Sequence, residues 1–186
     1  RISRTNQREM ITILKKEINE FLDSLIAYVV IGMFLLGIGL LMWVFPDTNV
    51  LDYGYASMET LFSFAPYVFM FLIPAITMKA FAEEKRSGTI ELLYTLPFRD
   101  IEIVVGKFMA GFILVIFSVL PTLIYYFSIS YLGNPVGNLD TAGITGSYIG
   151  LILLGGIFTS IGILSSALTG NQIVSYILAA FLCFVF

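Results

Sequence analysis

The chain has 186 residues, 58% of them apolar and only 12% charged, with a formal net charge of −3 and a mean hydropathy of +0.93. Soluble domains carry about a quarter charged residues, so this composition excludes one and makes the bilayer the solvent against which the chain is read. The absence of histidine and the single cysteine, Cys183, leave no His- or Cys-ligated metal site, no internal disulfide and no Ser/His/Asp or Cys/His nucleophile.

Residues 1–24 form an N-terminal segment. Met10, Leu14, Ile18, Phe21, Leu22 and Leu25 recur at helical spacing, while Lys15, Lys16, Glu17, Asn19 and Glu20 fill the other side. That pattern predicts an amphipathic helix lying along a membrane face, or a plain extension of the first span. The membrane domain then runs over 25–186.

Its first apolar stretch, Leu25 to Phe45, is 21 residues without a charge, enough to cross a hydrocarbon layer of about 30 Å. It ends in Trp43-Val44-Phe45-Pro46 rather than in small residues, which fits an anchoring helix and not a cleaved signal. Further stretches cover Leu61 to Met78, Phe108 to about Leu132, and Tyr148 to Leu168. Pro66, Pro74 and Pro121 lie inside them and predict local kinks, since neighbouring helices can satisfy the freed carbonyls. A fifth run, Ile173 to Phe186, reaches only 14 residues, about 21 Å of helix, and is expected to be a truncated span of a chain that continues.

All ten Lys and Arg fall within residues 1–16 and 79–107. Under the positive-inside rule both windows are cytoplasmic, which puts the N-terminus inside and 46–60 and 133–147 outside. Trp43, Tyr53 and Tyr55, and Tyr125, Tyr126 and Tyr131, suit an interfacial aromatic belt. The expected fold is therefore all-α: a polytopic membrane bundle with five visible spans, the fifth incomplete.

The connection between the second and third spans, 82–102, is the most informative stretch. Ser87 or Thr89 can cap a short helix, Glu91 complements its positive end, and Pro97 terminates it. Asp100 can cap the next helix, with Glu102 in its first turn. Ile90, Leu93 and Leu96 give this short helix an apolar side that a solvated loop does not need. A docking knob for a cytoplasmic partner and an ordinary charged loop are the two readings.

Glu84-Lys85-Arg86-Ser87-Gly88-Thr89-Ile90-Glu91-Leu92-Leu93, followed by Leu96-Pro97 and Gly106-Lys107, resembles the signature of type-2 ABC export permeases. Phe71 to Met78, Gly133 to Asn138, Gly146 to Gly150 and Thr169 to Val174 extend the likeness. Within the family it is nearest to the gliding-motility-associated permease subunit of Bacteroidetes. The resemblance implies six spans, a bacterial inner-membrane location, a second permease subunit as homo- or heterodimer, and a separate cytoplasmic ABC ATPase. It also implies that Glu84, Gly88, Thr89, Glu91 and Pro97 belong to the segment that contacts the ATPase. ATP and magnesium are then expected on that partner, with no cofactor in this chain and no nucleic-acid partner. The one Gly-Lys pair, Gly106-Lys107, has Ile101 where a phosphate loop needs its first glycine and Phe108 where it needs a hydroxyl.

In the fourth span Gly146 and Gly150 form a GxxxG pair, Gly155 follows, and Gly162, Ser166 and Gly170 repeat every four residues. Small residues at that spacing allow close helix contact, either mobile at a pore or static within the subunit. The four apolar stretches contain no Asp, Glu, Lys, Arg or His, which leaves an ion-coupled carrier or a membrane enzyme nothing to work with. A non-transporting scaffold that anchors a cytoplasmic machine remains the alternative to an exporter.

Overall fold

Apolar runs joined by short polar connections dictate helices that bury one face on each other, and the computed structural model has that form. It describes residues 14–23, 25–52, 56–91 and 99–186, and these residues hold helices and no strand. A helical stretch over 14–22 leads to α1 (Leu25–Trp43), α2 (Glu59–Thr77), a short α3 (Ala82–Ser87) and α4 (Asp100–Val119). A 3-10 turn (Leu120–Thr122) joins α4 to α5 (Leu123–Leu132), and α6 (Thr141–Leu168) and α7 (Gln172–Val185) complete the bundle.

Three helical stretches are long and apolar enough to cross a membrane: Glu59–Ser87, Asp100–Leu132 and Thr141–Leu168. The first apolar stretch forms a helix of 19 residues, and its apolar part, Tyr28–Trp43, is shorter than those three. Pro66 and Pro74 lie inside α2, and Pro121 sits at the 3-10 turn between α4 and α5. Its missing N–H cannot continue the α-helical ladder, so the helix restarts after it.

α2 is the hub, lying against α1, α6 and α7, while α4 lies against α6. Phe34, Ile38 and Met42 recur every four residues on α1 and are fully buried, as are Leu61, Ala65, Phe69 and Ile73 on α2. The Phe34 and Phe69 rings meet at 5.3 Å between centroids. Opposite faces stay apolar and outward: Met33 and Leu36 on α1, Ile124 and Phe127 on α5, Leu153 and Leu164 on α6, Phe181 on α7. A water-facing bundle would place polar residues there; a lipid-facing one places these.

The bundle has two chemically distinct ends. One holds the N-terminal stretch, α3 and the start of α4 and is called here the basic end. The other carries Asp47, Asp52, Glu59 and Asp140 and no Lys or Arg. There, the connection after α1 folds back on it: Val50 N–H donates to the Met42 carbonyl (3.0 Å), and Thr60 Oγ1 donates to the Thr48 carbonyl (3.0 Å). Asp140 Oδ1 accepts from Gly143 N–H (3.0 Å) and opens α6. Tyr53 and Tyr55 lie outside the described residues. Tyr125, expected in an aromatic belt, instead donates its hydroxyl to the Leu35 carbonyl of α1 (3.0 Å).

Candidate functional site at the basic end

Four elements converge at the basic end, and three side chains hold them together. Ser166, near the end of α6, uses its whole hydrogen-bonding capacity. Its Oγ accepts from Phe81 N–H (2.9 Å) and Ala82 N–H (3.0 Å), and donates to the Met78 carbonyl (3.0 Å). Those partners are the turn between α2 and α3, so one hydroxyl fastens the exit of α2 to α6. Lys85 on α3 adds a second tie by donating Nζ to the Ala167 carbonyl, one of the orphan carbonyls at the end of α6.

Lys107 makes the third junction. It lies on α4 with its side chain 2% exposed, and its Nζ contacts Glu17 Oε1 at 2.7 Å and Glu84 Oε1 at 2.8 Å. The Phe81 ring centroid stands 5.0 Å from the same nitrogen. One ammonium thus joins the N-terminal stretch, α3 and α4. Glu17 corrects the sequence expectation: it was placed on the polar side of the amphipathic helix, yet it turns into the bundle. Its neighbours Lys16 and Glu20 do face water and pair across one turn at 3.4 Å. Burial pushes the Glu17 carboxyl above its ordinary range, against the opposing pull of Lys107.

A cavity of about 510 Å³ opens beside this cluster. Glu17, Glu84 and Lys107 line its charged side, and Thr77, Gly111 and Leu114 its inner side.

The residues singled out in 82–102 fall in three places. Glu84 points inward to Lys107 rather than to solvent. Gly88 closes α3 in the left-handed region, φ 71°, where a side chain is disfavoured. Thr89 and Glu91 are exposed. Ser87 Oγ lies 2.8 Å from Thr89 Oγ1 and donates to the Glu83 carbonyl (2.8 Å), so it ends α3 rather than opening the next helix. Pro97, with Leu93 and Leu96, lies outside the described residues. Arg99, one residue before the expected Asp100, takes the N-cap position of α4, and Glu102 Oε2 accepts from its N–H (3.1 Å).

The glycines of α6 divide in two. A methyl at Gly155 would stand 2.6 Å from Val115 Cγ1, and one at Gly162 would overlap Thr77 and stand 2.8 Å from its Cβ. Gly146 and Gly150 have nothing within 4 Å of the same position. The first two sit where helices of this chain approach closely; the GxxxG pair does not.

Sequence reasoning missed Ser166, Lys107 and Glu17 as a set. Ser166 carried a signal, as the middle member of a four-residue small repeat. Lys107 carried another, as a cation directly preceding an apolar span. Their partners could not be read from either.

A bundle of long apolar helices with lipid-compatible outer faces defines a multi-pass membrane protein. The family model for ABC-2 family transporter proteins matches residues 11–186, so the chain belongs to the ABC-2 transporter family, whose members are membrane components of ABC transporters. No curated protein matches the chain.

Proposed function

We propose that this chain is the membrane-spanning subunit of a type-2 ABC exporter, with its basic end in the cytoplasm, working with a second permease subunit and a separate ATPase that holds ATP and magnesium. Within the coupling segment 82–102, the part that follows α3 is the one offered to that ATPase, residues 88–98. The observation that carries the reading is the way α3, which leads into this segment, is fastened: Ser166 and Lys85 tie it to α6, and Glu84 ties it to α4 through Lys107. A push on 88–98 would reach two spans directly, because the contacts are buried or bonded rather than solvated. Gly88, Thr89 and Glu91 would then meet the partner, while Glu84 would carry the load inward. A role in gliding motility rests on the sequence resemblance alone.

The test is copurification and turnover. The detergent-extracted protein should bring down a nucleotide-binding subunit, and Glu91→Lys should lower transport-linked ATP turnover while leaving membrane insertion unchanged. ATP hydrolysis by the isolated chain, free of other subunits, would sink the proposal. A complex that forms but moves no cargo under any condition would favour the anchoring scaffold instead.

A further inference from the structure

We infer that Lys107 is a positioning residue that latches the N-terminal helical stretch onto α3 and the third span, so that the three move as one body. This goes beyond a permease role for the chain, and stands or falls apart from it.

Three observations carry it. First, Glu17 and Glu84 come from elements 67 residues apart in sequence, yet both place a carboxylate oxygen on one nitrogen, at 2.7 Å and 2.8 Å. Second, that nitrogen belongs to a side chain 2% exposed, while the two acids are 16% and 15% exposed, so the cluster is largely withdrawn from solvent and from salt screening. Third, side chains leave space beneath the stretch unfilled. Beneath the stretch, Glu17 and Phe21 line the cavity of about 510 Å³ together with Thr77 and Leu114, and Phe21 is the side chain of 14–22 that reaches the bundle's core cluster. Where the interface is hollow, a directional, charge-assisted contact decides the placement.

Two carboxylates on one cation do not make a strong source of net stability, because burial opposes ionisation of Glu17. The role that fits is specificity of placement. Removing the cation takes away the contact that holds the N-terminal stretch on α3 and α4, and leaves two withdrawn carboxylates that repel each other wherever both are ionised.

The test uses the full chain in lipid nanodiscs with Cys183→Ala as background. Nitroxide labels at the exposed positions Asn19→Cys and Arg86→Cys report the separation of the stretch from α3 by pulsed electron resonance. The unaltered cluster and Lys107→Arg should both give one narrow distance distribution. Lys107→Met and, independently, Glu17→Lys should shift it to longer and broader distances. Glu17→Lys alters a residue of the N-terminal stretch and leaves the sequence of the long apolar helices intact, so it reports even where Lys107→Met impairs insertion. Glu17→Lys combined with Lys107→Met places a cation opposite Glu84 again and should restore the narrow distribution. A distribution unchanged by Glu17→Lys, or a combined variant no narrower than Glu17→Lys alone, would overturn the latch.

Discussion

Gly162 on α6 lies directly against Thr77 on α2: a methyl on the glycine would overlap the threonine side chain and stand 2.8 Å from its Cβ. Thr77 cannot simply rotate away, because its hydroxyl is committed to the Ile73 carbonyl at 2.9 Å. The contact is thus fixed from both sides.

Gly162→Ala should destabilise the subunit by about 1–3 kcal/mol, the usual cost of forcing extra volume into a packed contact. Gly150→Ala meets open space within the chain and should stabilise by about 0.5–1 kcal/mol, the usual gain of alanine over glycine inside a helix. Thermal unfolding in detergent measures both. Equal losses at the two positions would mean that Gly150 also meets a close neighbour.

Ser166→Ala removes the acceptor for two backbone N–H groups at once. The unpaired groups should cost about 1–3 kcal/mol, concentrated at the turn rather than spread over the bundle. Hydrogen exchange followed by mass spectrometry should show faster exchange at Phe81 and Ala82, with little change in α1. Unchanged protection at those amides would show that another acceptor replaces the hydroxyl.

Glu17 gives a pH dependence with a definite sign. Its folded carboxyl binds a proton more tightly than the ordinary value of 4.5. Its contribution to stability is therefore fully present below 4.5 and is lost as pH rises through the raised folded value. Glu17→Gln lacks that loss, so its unfolding midpoint relative to the parent should climb between pH 4.5 and neutrality. A difference that is flat or falling with pH contradicts the burial of this carboxylate.

Tyr125 and Gly39 form a testable pair inside the bundle. A methyl at Gly39 would stand 2.9 Å from the Tyr125 hydroxyl oxygen but 3.7 Å from the ring carbon behind it. Gly39→Ala should therefore be harmful alone and better tolerated with Tyr125→Phe, whose own cost is the lost bond to the Leu35 carbonyl. The double-mutant cycle should give a coupling of about 0.5–3 kcal/mol. Additive losses would place the tyrosine elsewhere.

Much of this bundle was legible because bilayer chemistry is strict. Runs such as Leu61 to Met78 must be helical when no water can satisfy the backbone. Short-range chemistry at a helix end was also readable: Glu102 as a first-turn acid. The pairing of distant groups was not. Glu17 has the same spacing as a solvated acid, and only the position of Lys107 turns it inward. Small-residue spacing likewise marks Gly146, Gly150, Gly155 and Gly162 alike, whereas contact depends on which side of α6 each occupies.

Placing one buried ammonium between acids from two other elements has a consequence for how the chain can be divided. The N-terminal stretch supplies half of the charge that closes over Lys107, so it is not a leader that can be trimmed without effect. Removing it would strip the third span's lysine of one counter-charge and open the cavity beside it to water. Chimeras that join the N-terminus of one such permease to the spans of another should therefore depend on an acid at the position of Glu17, even where the surrounding amphipathic pattern is kept.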